Sequence, residues 1–221
     1  MKYSGVIFDF DGTLADSAED VWLALEYAFE KKGVSIGKTY RSNPVNLSKS
    51  IKSIVSENGG DLSEEEVESL KEDIDFHYGQ FTTYPNTRLY PGMLELLEEL
   101  VKREVKTGIV SNKGQRSLER ILEIKGLTKY FSYVCGGDFL GREYGKNDIL
   151  GHLLEDGFKD LNVIYIGDSY SDIVASHFNN IDSIGVLYGD GDNDDLIREK
   201  PTYICNNPWE IKKLFFSSNN V

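Results

Sequence analysis

Residues 6–16 read Val6-Ile7-Phe8-Asp9-Phe10-Asp11-Gly12-Thr13-Leu14-Ala15-Asp16, and this stretch decides the fold. Three residues suited to a pleated, buried surface stop abruptly at an Asp-x-Asp pair and a Gly-Thr turn, the pattern of a strand ending at a polar sheet edge. Five further segments rich in Val, Ile, Tyr and Phe follow at residues 105–110, 133–135, 163–166, 183–187 and 202–205, with helical periodicity between them. Strands alternating with helices predict an α/β fold, a Rossmann-like parallel sheet wrapped by helices. Four of the strands run into polar clusters, DFDGT, SNKG, GGD and GDSYSD. In an open parallel sheet these carboxyl ends are where ligands bind.

Nearly a hundred residues separate the first strand from the second, far more than one crossover helix needs. Helical patterns fill the interval at residues 16–32, 46–57 and 63–81, with Gly33 as a stop after the first and Ser63 with Glu66 as a capping pattern before the last. An all-helical cap domain is therefore expected at residues 15–86, inserted into a catalytic core made of residues 1–14 and 87–221. Two bodies with a cleft between them are the expected shape.

The chain has 221 residues, 40% of them hydrophobic, so it can bury a core and is neither fibrous nor disordered. Thirty-seven acidic against 24 basic residues give a net charge of −13, which argues against nucleic-acid and anionic-membrane partners. An anionic substrate would need a local positive device. Cys135 and Cys205 form no disulfide framework and are expected to be inert thiols. With no apolar run long enough for a bilayer and no export signal, a cytoplasmic protein is expected, a monomer by default and a dimer as the alternative.

Asp9 and Asp11, two apart at a strand end, project to one side and repel unless a cation sits between them or one stays protonated. GDSYSD adds Asp168 and Asp172 after the apolar run VIYIG. Carboxylates from two strand ends, with no histidine or cysteine nearby, suit a hard octahedral cation such as Mg²⁺. Ser111 and Asn112, in GIVSNKG, offer a hydroxyl and turn amides for phosphate oxygens. Lys146, preceded by Gly145 at an expected helix start, can supply a fixed positive charge, with Arg142 as its competitor. GDGDNDD at residues 189–195 fails the spacing of a calcium loop and reads as a solvated acidic loop. His77, His152 and His177 are scattered singly, and no nucleotide-binding glycine loop is present.

The order DxDGT, Ser-Asn, Lys, GDSxxD resembles the haloacid dehalogenase superfamily of phosphohydrolases over essentially the whole chain. The helical insert after the first motif resembles the capped branch that holds phosphoglycolate phosphatases, β-phosphoglucomutases and related nucleotidases. The resemblance implies Mg²⁺-dependent phosphoryl transfer from a small phosphorylated metabolite through an aspartyl phosphate. It implies Asp9 as nucleophile, Asp11 as general acid and then base, and Ser111, Asn112 and Lys146 as phosphate binders. It further implies a metal held by Asp9, the Asp11 backbone carbonyl and Asp168, with Asp172 bonded to a metal water or a ligand. Lys146 is followed by Asn147, where many relatives have proline.

Three other readings compete. A phosphomutase needs a second phosphate-binding group on the cap, for which Lys38, Arg41 and Lys49 are available, with Arg41 and Lys49 foremost. A non-enzymatic phosphoacceptor module of the receiver type would lack the helical insert. A halide-removing enzyme of the same superfamily would need neither a metal nor an acid at Asp11.

Overall fold

The computed structural model describes residues 2–141 and 144–217. Arg142 therefore lies outside the described residues. In chain order the elements are β1 (Gly5–Phe8), β2 (Ala15–Asp16), α1 (Ala18–Glu30), α2 (Lys38–Arg41), α3 (Ile51–Glu57), α4 (Glu64–Gln80), β3 (Arg88–Leu89), α5 (Met93–Lys102), β4 (Lys106–Val110), α6 (Gln115–Ile124) and β5 (Tyr133–Cys135). There follow α7 (Lys146–Gly157), β6 (Val163–Gly167), α8 (Tyr170–Phe178), β7 (Asp182–Val186), α9 (Asn193–Arg198), β8 (Tyr203–Cys205) and α10 (Pro208–Phe216). The chain divides into two compact units, Met1–Asp16 with Arg88–Val221, and Ser17–Thr87.

The first unit is built on a six-stranded sheet in the order β5-β4-β1-β6-β7-β8. Every pairing in it is parallel, as the alternating strand and helix pattern predicts. Val6, Ile7 and Phe8 are fully buried, because β1 is covered on both faces, which is why its sequence reads as a continuous apolar run rather than an alternating one. One face packs in a cluster that includes Ile7, Val110, Leu150, Leu153, Phe158 and Tyr165. The register sets Phe8 beside Ile109 of β4 and Ile166 of β6. The residues that follow these three neighbouring strands therefore share one edge of the sheet.

The second unit is helical. Trp22, Leu25, Ala28 and Phe29 of α1 pack with Ile54 and Val55 of α3 and Leu70 of α4, the helical spacing visible in the sequence. Ser63 and Glu66 form the expected capping box before α4, which satisfies two otherwise unpaired amides. Residues 46–57 are not one helix: a 3-10 turn at Pro44–Ser48 and the helix α3 are separated by extended backbone at Lys49 and Ser50. Ser50 caps α3 by accepting from the amide of Ser53 at 3.1 Å. Asp20, on the buried side of α1, accepts from the backbone and side chains of Asn86 and Thr87 at 2.7–3.3 Å, tying the two ends of the helical unit together.

The two-residue strands β2 and β3 pair antiparallel, Ala15 with Leu89 and Asp16 with Arg88. Sequence periodicity cannot show strands this short. Cys135 and Cys205 are both buried and free. No helix among the described residues is long and apolar enough to cross a membrane.

Candidate active site

The site begins where β1 ends. Asp9 is buried, and its amide donates to the Ile166 carbonyl at 2.8 Å, continuing the strand ladder for one more residue. Gly12 then turns the chain with φ +72°. A Cβ on it would fall 2.1 Å from Asp168 Oδ2, so a residue without a side chain is required there for both reasons. The turn brings Thr13 to Asp168, its hydroxyl donating to Oδ1 at 3.1 Å.

Asp168 directly follows β6 and is buried. Its Oδ2 accepts from the amides of Asp190 and Gly191 at 2.9 and 3.0 Å. The acidic loop after β7 is thus a structural partner of the site rather than a purely solvated segment. Residues 192–195 of GDGDNDD are exposed, as the carboxylates predict, but the backbone amides of Asp190 and Gly191 hold Asp168, which side-chain composition does not show. Burial, with Asp16 and Asp11 nearby, raises the Asp190 carboxyl to about 6.

Asp9, Asp168 and Asp172 bring carboxylate oxygens within 4.8 Å of one another, all three residues buried. Lys146, the first residue of α7, has a side chain only 5% exposed, with Nζ 2.6 Å from Asp172 Oδ1 and 3.3 Å from Asp9 Oδ1. The first contact is a hydrogen bond, whereas the second is an ion pair without hydrogen-bond geometry, so Asp9 Oδ1 is buried with no donor. Burial pushes the Asp9 carboxyl up to about 7; Lys146 opposes the rise, and Asp172 and Asp11 add to it. Burial also raises Asp168 well above the usual carboxylate range, helped by Asp172 and Asp9. For Lys146 burial acts downward, but Asp172 and Asp9 outweigh it and keep the ammonium above its ordinary value.

One lysine does not balance three buried carboxylates, and an unpartnered buried oxygen is costly. The donor set is all oxygen, as hard divalent cations prefer. These residues could hold a divalent metal ion. Within the set the three differ: Asp9 offers a free oxygen, while Asp172 has both oxygens engaged. Its Oδ1 meets Lys146 and, at 3.2 Å, the hydroxyl of Tyr165, and its Oδ2 accepts from Ser169 N and Oγ at 2.9 and 2.6 Å. Its immediate work is to hold Lys146 and to cap α8.

The other predicted residues fall in different places. Ser111 is buried at the end of β4, beside β1, its amide donating to the Cys135 carbonyl at 3.0 Å. Asn112 is exposed. Asp11 is partly exposed and pairs with Lys113, Nζ to Oδ1 at 3.1 Å. Arg41 and Lys49 belong to the helical unit and are engaged there: Arg41 with Glu19 and Glu26, Lys49 with Glu57 at 2.5 Å and over the Tyr40 ring. Elsewhere on α1, Trp22 and Phe29 belong to the core of the helical unit, and Tyr27 is exposed and stacks on His77 with ring centroids 3.8 Å apart. Sequence reasoning missed Thr13, Tyr165, Lys113 and the amides of Asp190 and Gly191. Thr13 and Lys113 lay inside quoted motifs, whereas nothing in a strand sequence marks Tyr165 as a partner of Asp172.

A family model described as haloacid dehalogenase-like hydrolase matches residues 6–186. The chain belongs to that family. Proteins similar to it include a phosphoglycolate phosphatase of Haemophilus influenzae, 29% identical over 205 residues that cover 89% of this chain and 91% of the relative. A 5'-nucleotidase of Pseudomonas aeruginosa is 26% identical, covering 93% of this chain and 92% of the relative. The solved structure of a predicted phosphoglycolate phosphatase of Haemophilus somnus superposes with a TM-score of 0.83 at 25% identity, covering 98% of this chain and 99% of the other. As a haloacid dehalogenase-like protein the chain is a hydrolase, and its parallel sheet with a helical insert is the family's fold.

Proposed function

We propose that this hydrolase is a Mg²⁺-dependent phosphatase of a small phosphate monoester, acting through an aspartyl phosphate on Asp9. The observation that carries the reading is Asp9 itself: buried at the end of β1, with one carboxylate oxygen lacking a donor and a buried ammonium 3.3 Å from it. Asp9 and Asp168, with the Asp11 carbonyl that the family resemblance adds, would hold the metal. Bound magnesium supplies positive charge where a carboxylate must meet a phosphate dianion.

Lys146 is fixed by Asp172 and so presents its charge without reorganising, which makes it the phosphate-binding cation of the scheme. Ser111, at the neighbouring strand end, supplies a hydroxyl to the same phosphoryl group. Asp9 Oδ attacks phosphorus as the bond to the leaving oxygen breaks, and that oxygen takes the proton of the Asp11 carboxyl. Asp11, now a carboxylate, then takes a proton from the water that attacks phosphorus, and the bond to Asp9 is released. Turnover returns both aspartates to their starting states.

The names of the relatives support a small phosphorylated metabolite, with 2-phosphoglycolate the first substrate to test and sugar phosphates and nucleoside monophosphates beside it. A mutase would need a second phosphate-binding group in the helical unit, where Arg41 and Lys49 are held in ion pairs but Lys38 is exposed, so the reaction product separates the two readings. The test is release of inorganic phosphate across such a panel with and without Mg²⁺, ranked by kcat/KM. Metal-dependent phosphate release that Asp9→Asn abolishes without unfolding the protein is expected. An active Asp9→Asn variant, or formation of an isomeric sugar phosphate in place of free phosphate, would contradict the proposal.

A further inference from the structure

Lys113 has no part in the scheme above, yet it is built into the site. Its side chain is only 6% exposed, and its Nζ lies 3.1 Å from Asp11 Oδ1. Burying an ammonium is costly unless it is paired, and the backbone on either side of Lys113 is fixed. Its amide donates to Ser111 Oγ at 3.3 Å, and its carbonyl accepts from the Gly137 amide at 2.9 Å.

The GGD motif after β5 provides this grip. Gly136 N donates to Gln115 Oε1 at 2.5 Å, and Asp138 Oδ1 accepts from Gln115 N at 2.7 Å. A Cβ on Gly136 would come within 2.5 Å of the Gln115 backbone, and one on Gly137 within 2.6 Å of the Asn112 carbonyl. Only glycine lets the two loops approach this closely. The turn that carries Lys113 is therefore clamped by the turn after the neighbouring strand, which fixes the base of the side chain that reaches Asp11.

We propose that Lys113 is a positioning residue for Asp11, holding its carboxyl group where it can reach the leaving-group oxygen. The inference rests on the assignment of Asp11 as acid and base. Lys113 exchanges no proton in the scheme: the Asp11 proton goes to the leaving oxygen as the phosphorus–oxygen bond breaks, and Lys113 remains an ammonium facing the resulting carboxylate. The cation thus holds the orientation of Asp11 and stabilises the carboxylate that proton donation leaves, so its loss should be felt most where the leaving group needs a proton most.

Leaving-group dependence reads this directly. p-Nitrophenolate departs without protonation, whereas an alkoxide does not, so kcat/KM, which reports leaving-group expulsion, separates the two classes. Lys113→Met should lower kcat/KM for 2-phosphoglycolate and for the neutral-alcohol ester ethyl phosphate alike, by about tenfold or more beyond its effect on p-nitrophenyl phosphate. Lys113→Arg should restore much of that difference. Should Lys113→Met fail to fold, Lys113→Gln takes the same comparison. Equal losses on aryl and alkyl esters, or no loss, would overturn the proposal, as would a loss confined to phosphoglycolate, which would make Lys113 a reader of substrate charge. Failure of the phosphatase reading itself would show separately, as wild-type turnover of p-nitrophenyl phosphate that survives Asp9→Asn.

Discussion

Lys146 bridges two carboxylates of unequal strength of contact, 2.6 Å to Asp172 and 3.3 Å to Asp9. Replacing one member of a buried ionic group strands the others, which typically costs about 3 kcal/mol or more. Lys146→Met should therefore lower stability by about that amount in urea unfolding as well as weakening turnover of every phosphate ester. Gly12 is a second sensitive position, because φ is +72° and a Cβ would strike Asp168. Gly12→Ala is expected to abolish most of the thermal stabilisation by Mg²⁺, measured as the shift in Tm on adding the metal, because Asp168 must move. At this scale the sequence disclosed the carboxylates and Lys146, since strand-end acids and a helix-start lysine have recognisable neighbours. It could not disclose the pairing of Asp11 with Lys113 or the anchoring of Asp168 by Asp190 and Gly191. Both depend on loops that follow different strands and meet only through the sheet order.

Elements were legible where burial enforces a pattern. β1 and β6 lie in the middle of the sheet and read as apolar runs, and α1 shows its buried face at helical spacing. The 3-10 turn at Pro44–Ser48 and the paired strands β2 and β3 were not legible, because each is too short for a period and is held by backbone hydrogen bonds that any sequence can make. The two ends of the helical unit are closed by Asp20, whose carboxylate meets four donor groups on Asn86 and Thr87. Asp20→Asn would turn an amide NH₂ toward donors and leave some of them buried and unpaired. A loss of about 2 kcal/mol or more is expected, measured by urea unfolding. An unchanged midpoint would show that the ends of the unit do not depend on this carboxylate.

For the molecule as a whole, metal, protons and stability are linked. Asp9 has its carboxyl raised by burial from an ordinary 3.8 to about 7. Between these values the metal-free folded state binds a proton more tightly than the unfolded chain. This group's contribution to stability is therefore present at low pH and is lost as pH rises through about 7. On the proposed reading Mg²⁺ would compete with that proton, so its stabilising effect should be larger at about pH 8 than at about pH 6. Thermal unfolding with and without the metal at the two pH values checks this, and an increment that grows on acidification would contradict it. The net charge of −13 fits the same picture, in which affinity for an anion comes from the local device at the sheet edge and not from the surface at large.

The proposed mechanism turns on Asp9 as the nucleophile toward phosphorus. A crystal structure of the protein treated with beryllium fluoride and magnesium tests this most directly. The predicted result is a trifluoroberyllate bonded to a carboxylate oxygen of Asp9, with Lys146 and Ser111 against its fluorines. A beryllium adduct on Asp11, Asp168 or Asp172, with Asp9 unmodified, would contradict it.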